Sequence, residues 1–234
     1  MDIRIRAFKA VDDMNSCQTY VKGHMEVLKV FGITMITTAN IEWFINPNVI
    51  VIVAESLDGS KMYGGMRIHK MGGTQSLPIE SAVGGLDPGI YPMLQADHEN
   101  GVAEFCGMWN SRDFAGNGIS YLLTTAGTAV STMLEIDKIY VLCAEYTVHM
   151  VERVGFRIET NLGKKGTFYY PKLDLVATVL TKKRNDFSSA DPSETTMIDE
   201  LSKNPQLRTD IIPYMKKDPV NIRFDLDIPE IQHI

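Results

Sequence analysis

The chain has 234 residues, 44% of them hydrophobic, and a formal net charge of −6. That length and apolar content suit one large globular domain, or one domain with an appendage, built on a full core. The negative balance excludes broad contact with nucleic acid, which needs clustered Lys and Arg to displace counterions, and it mildly favours a cationic or amine substrate.

The opening Met1-Asp-Ile-Arg-Ile-Arg6 lacks the apolar centre of a signal peptide, and Val49 to Ala54 is too short to cross a bilayer. The expected compartment is therefore the cytoplasm, with no membrane partner. Cys17, Cys106 and Cys143 are odd in number and widely spaced, which predicts reduced core thiols rather than a disulfide framework. There is no CxxC pair and no HExxH, so no metal is expected; Asp97-His98-Glu99, just before Asn-Gly, reads as a solvated turn before it reads as a ligand set.

Ile3, Ile5 and Ala7 alternate with charged residues and predict a half-buried strand. Asp12 or Asp13 can cap the helix that follows, where Met14, Cys17, Val21, Met25 and Leu28 recur on one face and Gly32 suits a left-handed stop. A shorter segment with Trp43 and Phe44 closes at Pro47. Val49 to Glu55 is a β-branched run, joined through Asp58-Gly59-Ser60 to a second strand, Met62 to Lys70. From Gly72 to Gly101, Pro78, Gly84, Gly85, Asp87-Pro88-Gly89 and Pro92 interrupt every period and predict a long loop. Such a loop is either a substrate-shaping insertion or a surface feature of no consequence.

An apolar strand then enters the glycine-spaced stretch Glu104 to Gly118, followed by Ile119, Leu122, Leu123, Ala126, Val130, Met133 and Leu134 at helical spacing. Gly116 and Gly118 let the backbone turn tightly, and the next helix offers free N–H groups and a positive dipole end, which together predict an anion site for a phosphate or pyrophosphate. Ile139 to Ala144 is a further buried strand, Thr147 to Val154 a short helix stopped by Gly155-Phe156, and Phe156 to Thr160 and Phe168 to Thr181 a final pair of strands. The fold class is α/β (α+β), a mixed sheet with one helix crossing from strand to strand.

The run Gly107-Met-Trp-Asn-Ser-Arg-Asp-Phe-Ala-Gly-Asn-Gly118, then Ile139 to Ala144, then Val151-Glu-Arg-Val-Gly-Phe156, resembles the GCN5-related N-acetyltransferase superfamily. The resemblance covers residues 1–181, with 72–101 as an insertion, and its sharp motifs span Glu104 to Phe156. It implies a mixed central sheet flanked by helices, and acetyl-coenzyme A or another acyl-coenzyme A as co-substrate. By the same analogy the backbone of Met108, Trp109 and Asn110 meets the pantetheine, while Asp113, Phe114, Ala115, Gly116, Asn117, Gly118, Ile119 and Ser120 surround the phosphates. Trp109 is open to two readings, a wall of the pantetheine channel or plain core.

The sequence departs from the family pattern in two places. The loop's usual cations are replaced by Asp113, Ala115 and Asn117, so the pyrophosphate would rest on backbone amides and the helix end, with Arg112, Lys138, Lys164 or Lys165 as possible substitutes. The Tyr that usually protonates the leaving thiolate is replaced by Val151, leaving Tyr146 and His149 as alternative general acids. Glu104, a carboxylate between Ala103 and Phe105, is costly in a core strand unless paired or used, and many relatives carry a Glu near this point as general base. Its other reading is a carboxylate facing outward or paired with Arg or Lys.

The resemblance thus implies direct N-acyl transfer, in the first instance N-acetyl transfer, to a small amine or an amino-terminal acceptor. The alternatives are a non-catalytic acyl-coenzyme A-binding protein on the same fold, and a longer-chain N-acyl amino acid synthase-like enzyme. Residues 182–234 form an extension: Asp191-Pro-Ser-Glu194 has the form of a capping box, with a helix to Leu201. The tail beyond is expected to dock on the main domain, where covering the acceptor pocket, forming a homodimer contact and stabilising a sheet edge are all open to it.

Overall fold

The computed structural model describes residues 2–33, 41–98, 101–212 and 219–228. The strands are β1 (Asp2–Lys9), β2 (Val49–Glu55), β3 (Met62–Lys70), β4 (Val102–Asn110), β5 (Lys138–Ala144), β6 (Arg157–Ile158), β7 (Thr167–Tyr169), β8 (Val176–Lys183), β9 (Arg208–Ile211) and β10 (Val220–Asp225). Among the described residues these ten make one sheet in the order β6-β8-β5-β4-β3-β2-β1-β10-β9, with β7 also on β8. The helices are α1 (Met14–Val30), α2 (Pro78–Val83), α3 (Ile90–Asp97), α4 (Ile119–Met133), α5 (Val148–Arg153) and α6 (Pro192–Lys203).

β1 to β4 form an antiparallel meander, and β4 and β5 are parallel because α4 carries the chain back across the sheet between them. Asp13 caps α1, accepting the Ser16 N–H at 2.9 Å, and Gly32 ends it at φ +64°. The apolar stripe of α4 lies with Ile50, Ile52, Ile68 and Phe105 on one face of the sheet. The opposite face takes Tyr20 and Cys17 of α1 with Trp43 over Val51 and Val53, and α2 and α3 over Val102, Tyr140 and Val179.

The stretch 72–101 is not the loop its glycines and prolines predict, since it holds α2 and α3. Pro78 occupies the first turn of α2, where a missing N–H is harmless, and the Glu80 carboxylate accepts the Leu77 N–H at 2.8 Å. Leu77, Ile79, Val83, Ile90 and Leu94 are all buried, so two turns too short to stand alone are held by tertiary burial. The predicted strand Phe168 to Thr181 is instead a hairpin, β7 and β8, and Phe156 to Thr160 contracts to β6.

The tail does not merely lie on the domain. β10 pairs in parallel with β1 from Asp2 opposite Asn221 to Arg6 opposite Asp225, and β9 extends the sheet beyond it. Asp191 caps α6 by accepting the Ser193 N–H at 2.9 Å, but Glu194 does not complete a capping box. Its carboxylate binds Arg153 at 2.9 Å and the Thr125 hydroxyl at 2.6 Å, tying the extension to α5 and α4.

Candidate functional site

The β4–β5 ladder holds only from Val102 opposite Lys138 to Phe105 opposite Val141, although the strands run on to Asn110 and Ala144. Past that pair they part, and the gap opens into a cavity of about 220 Å³. Met108, Thr124 and Val151 line it on the α4 side, and His24, Leu28, Phe31 and Ala82 on the other. Most of the lining is apolar, and among the described residues no Lys or Arg belongs to it.

A bulge bends β4 beside this gap. The register with β3 passes from Arg67 opposite Cys106 to Gly65 opposite Trp109, so Met66 alone faces both Gly107 and Met108. Gly107 sits at φ +61°, a conformation that costs a side-chain-bearing residue energy.

Glu104 lines the cavity and is 2% exposed. One carboxylate oxygen accepts the Ile79 N–H at 2.7 Å, so α2, whose helical nature the sequence conceals, holds the residue that the sequence singles out. Burial pushes the Glu104 carboxyl up to about 8, against the smaller opposing effects of the Ile79 N–H and the Arg67 charge. The outward-facing reading of this carboxylate is therefore excluded by its position.

Tyr146 also lines the cavity, at its mouth: it is 66% exposed and stacks on Phe31, the residue just past α1, with ring centres 6.3 Å apart. Partial burial raises its hydroxyl above the ordinary tyrosine value, which keeps it a proton donor. His149 is not among the lining residues; its Nε2 lies 2.7 Å from the Tyr121 hydroxyl on α4. Val151, at the position where a tyrosine is usual, is buried against the cavity.

The glycine loop has the shape that its spacing predicts. Gly116 and Gly118 lie at φ +74° and +73°, and the Asn117 N–H and side-chain amide both turn back to the Phe114 carbonyl, at 3.1 and 3.2 Å. Ala115 donates to the Arg112 carbonyl at 3.1 Å, so Asp113 and Ala115 sit in one tight turn. Gly118 caps α4 without any side-chain acceptor, which leaves the amides of Ile119 and Ser120 at an open, positive helix end.

A cation does approach this loop, and it is one that the local sequence does not reveal. Lys61, in the β2–β3 hairpin, places Nζ 3.9 Å from the Asp113 carboxylate and 5.5 Å from the centre of the Phe114 ring. Lys138 is engaged elsewhere, with Asp97 at 2.7 Å. Asp97 also accepts the Tyr140 hydroxyl at 2.9 Å, which explains the first member of the Asp97-His98-Glu99 triplet as structural; Glu99 lies outside the described residues. Among the described residues no three His, Cys, Asp or Glu side chains converge as a metal group would need.

Trp109 settles on the core reading for its side chain. It is 5% exposed, edge-on to Tyr20 at 6.1 Å, and so close to α1 that a Cβ on Gly23 would lie 2.1 Å from the ring. Met108 and Asn110 flank it on the strand, and the Met108 sulfur accepts the Thr124 hydroxyl at 3.7 Å. Cys106 and Cys143 both line the cavity, but burial pushes their thiols up to about 12 and about 11, which keeps them protonated.

His24 is a titratable lining residue that sequence reading missed. It lies on the same α1 stripe as Cys17, Tyr20 and Leu28, and a polar residue on that stripe was the available signal. Burial, then the Arg67 charge, lowers it to about 4, so it is neutral near pH 7.

No protein-family model matches the chain, and no curated protein matches it by sequence. Solved structures do match by fold. The chain is similar to FeeM, an N-acyl amino acid synthase from uncultured soil microbes, at 16% identity and a TM-score of 0.56, over 83% of this chain and 97% of that one. MesI, a CoA-dependent acyl-homoserine lactone synthase, is 12% identical with a TM-score of 0.53, over 86% and 95% of the two chains. An acyl-CoA N-acyltransferase from Pseudomonas aeruginosa is 13% identical with a TM-score of 0.50, over 77% and 99%. The fold is accordingly that of the GCN5-related N-acetyltransferases, in agreement with the resemblance of the Glu104 to Phe156 motifs.

Proposed function

We propose that this chain is an acyl-coenzyme A-dependent N-acyltransferase that moves its acyl group directly to a primary amine. The carrying observation is the coincidence of three features: a β4–β5 gap that opens into a cavity, a buried Glu104 on its wall, and an uncapped α4 end beside it. In this reading the pantetheine lies in the gap against the backbone of Met108, Trp109 and Asn110, and residues 113–120 take the phosphates through main-chain amides, with Lys61 as the nearby cation.

Glu104 takes one proton from the acceptor ammonium, the neutral amine nitrogen then forms its bond to the thioester carbon, and the further proton that this nitrogen sheds passes to water. The C–S bond then breaks and the coenzyme A thiolate leaves, with the Tyr146 hydroxyl as the group placed to protonate it. His149, bound to Tyr121, is the weaker candidate for that step. The protonated thiols of Cys106 and Cys143 favour direct transfer over an acyl-cysteine intermediate.

The apolar lining favours an acyl chain longer than acetyl. Among the described residues it also holds no Lys or Arg for a buried carboxylate, so an amino acid acceptor would keep its carboxyl group at the rim. Val151 and the missing loop cations favour one competing reading, an acyl-coenzyme A-binding protein without turnover. Calorimetry with coenzyme A, then thiol release from acetyl- to decanoyl-coenzyme A over a panel of amines, separates the two. Binding without release at any chain length sinks the enzyme reading, and absence of binding sinks both.

A further inference from the structure

Tyr20 of α1 is fully buried, and its hydroxyl donates to the carbonyl of Gly107, 87 residues further along the chain. Its ring is wedged edge-on between Trp43 at 5.7 Å and Trp109 at 6.1 Å. Arg67, 1% exposed, lies over Trp43 at 4.3 Å and over Tyr20 at 6.0 Å. Burial raises the Tyr20 hydroxyl far above the ordinary tyrosine value, against the opposing Arg67 charge, so it remains a donor at any working pH. The carbonyl it binds belongs to the bulge, where Met66 faces two residues and Gly107 takes φ +61°. A Cβ on Gly107 would lie 2.6 Å from the Tyr20 oxygen and 3.3 Å from Arg67 Nε, so the bulge and the phenol are fitted to each other.

A trans peptide directs its C=O and N–H in opposite senses. Holding the Gly107 carbonyl toward Tyr20 therefore turns the Met108 N–H the other way, at a point where the β4–β5 ladder has ended and both Gly107 and Met108 line the cavity. We infer that Tyr20 is a positioning residue that aims the Met108 amide at the thioester oxygen of the bound acyl-coenzyme A. The inference rests on the acyltransferase reading above. Tyr20 touches no substrate; it fixes the peptide plane that does, and Trp43, Trp109 and Arg67 keep the phenol from rotating away. Such an amide contributes most when negative charge develops on the oxygen, so losing its aim lowers kcat more than affinity.

The test uses Tyr20→Phe, which removes one oxygen and keeps the packing. Thiol release with the best acyl donor and amine should show kcat reduced by about 10- to 100-fold, less than the roughly 100- to 1000-fold loss on deleting an oxyanion donor outright, because the amide is misaimed and not removed. The dissociation constant of coenzyme A, read by calorimetry, should stay within about twofold, since the phosphates and loop are untouched. Infrared spectroscopy of a carbon-13-labelled acyl thioester bound to the unaltered protein should place its carbonyl stretch below the value in water, and the variant should return it toward that value. Unchanged kcat, or kcat and coenzyme A affinity falling together, overturns the inference. So does an unshifted carbonyl in the unaltered protein, a measurement that does not depend on the variant folding. Absence of coenzyme A binding to the unaltered protein overturns the acyltransferase reading itself, and that result is distinct from the others.

Discussion

The Glu104 carboxylate accepts the backbone N–H of Ile79 at 2.7 Å, across 25 residues of sequence. A strand residue proposed as the base is thus held by the first turn of a helix inserted before the strand. The same burial that fixes the carboxylate also sets the pH at which it ionises.

Glu104→Gln should lower kcat by about 100-fold or more while leaving coenzyme A affinity near its original value. The kcat of the unaltered protein should rise with pH through about 8, as the carboxyl ionises, and the variant should lose that limb. Steady-state rates from pH 6 to 9 check both, and a variant with full activity removes Glu104 from the mechanism.

Stability should carry a second signature of this carboxyl. Below its ordinary value of 4.5 both folded and unfolded chains hold the proton; between there and about 8 only the unfolded chain releases it. The stability gained by burying a neutral Glu104 is therefore complete below 4.5 and declines across that window. Melting temperatures of Glu104→Gln should fall less steeply from pH 5 to 8 than those of the unaltered chain.

The buried histidines act at the acid end, with the opposite sign. Burial, aided by the Arg67 charge, lowers both His24 and His69 to about 4. The unfolded chain takes up their protons from the ordinary value of 6.5 downward, so their stability contribution is present above 6.5 and lost as pH falls toward 4. His24→Gln should flatten the melting curve over pH 4 to 6.5, and an unaltered slope would contradict this account of His24.

Ala82 meets the cavity from α2 and offers only a methyl group there. Ala82→Phe should shorten the acyl chain that is accepted: kcat/KM with octanoyl-coenzyme A should fall about 10-fold or more, while acetyl-coenzyme A is little affected. Equal loss at every chain length would show that the acyl group lies elsewhere.

Lys61 should account for the electrostatic share of coenzyme A binding at the glycine loop. It is more than half exposed, so Lys61→Met should weaken coenzyme A by only about three- to fivefold at low salt. The difference should vanish near 0.5 M salt. Calorimetry at two ionic strengths decides the matter, and equal affinity at low salt would remove Lys61 from the phosphate site.

Much of this molecule is written in short-range pattern. The alternation at Ile3, Ile5 and Ala7, the stripe from Ile119 to Leu134 and the two glycines at positive φ are local consequences of period and backbone freedom, and they define the meander, the crossover helix and the glycine loop. Glu104 was legible for a related reason, because a carboxylate in an apolar run carries a cost visible in sequence alone.

What tertiary structure decided was every feature whose parts are distant in the chain. α2 and α3 lack the length and propensity to declare themselves, and they exist because their apolar residues bury against Val102, Tyr140 and Val179. The strand of the tail that pairs with β1, the approach of Lys61 to the loop, His24 on the cavity wall and the Tyr20 grip on Gly107 likewise depend on contacts between remote segments. Sequence by itself determined the meander, α1, α4, the glycine loop and the conspicuous place of Glu104, since those follow from neighbouring residues. The gap between β4 and β5, and what points into it, came only from packing the whole sheet.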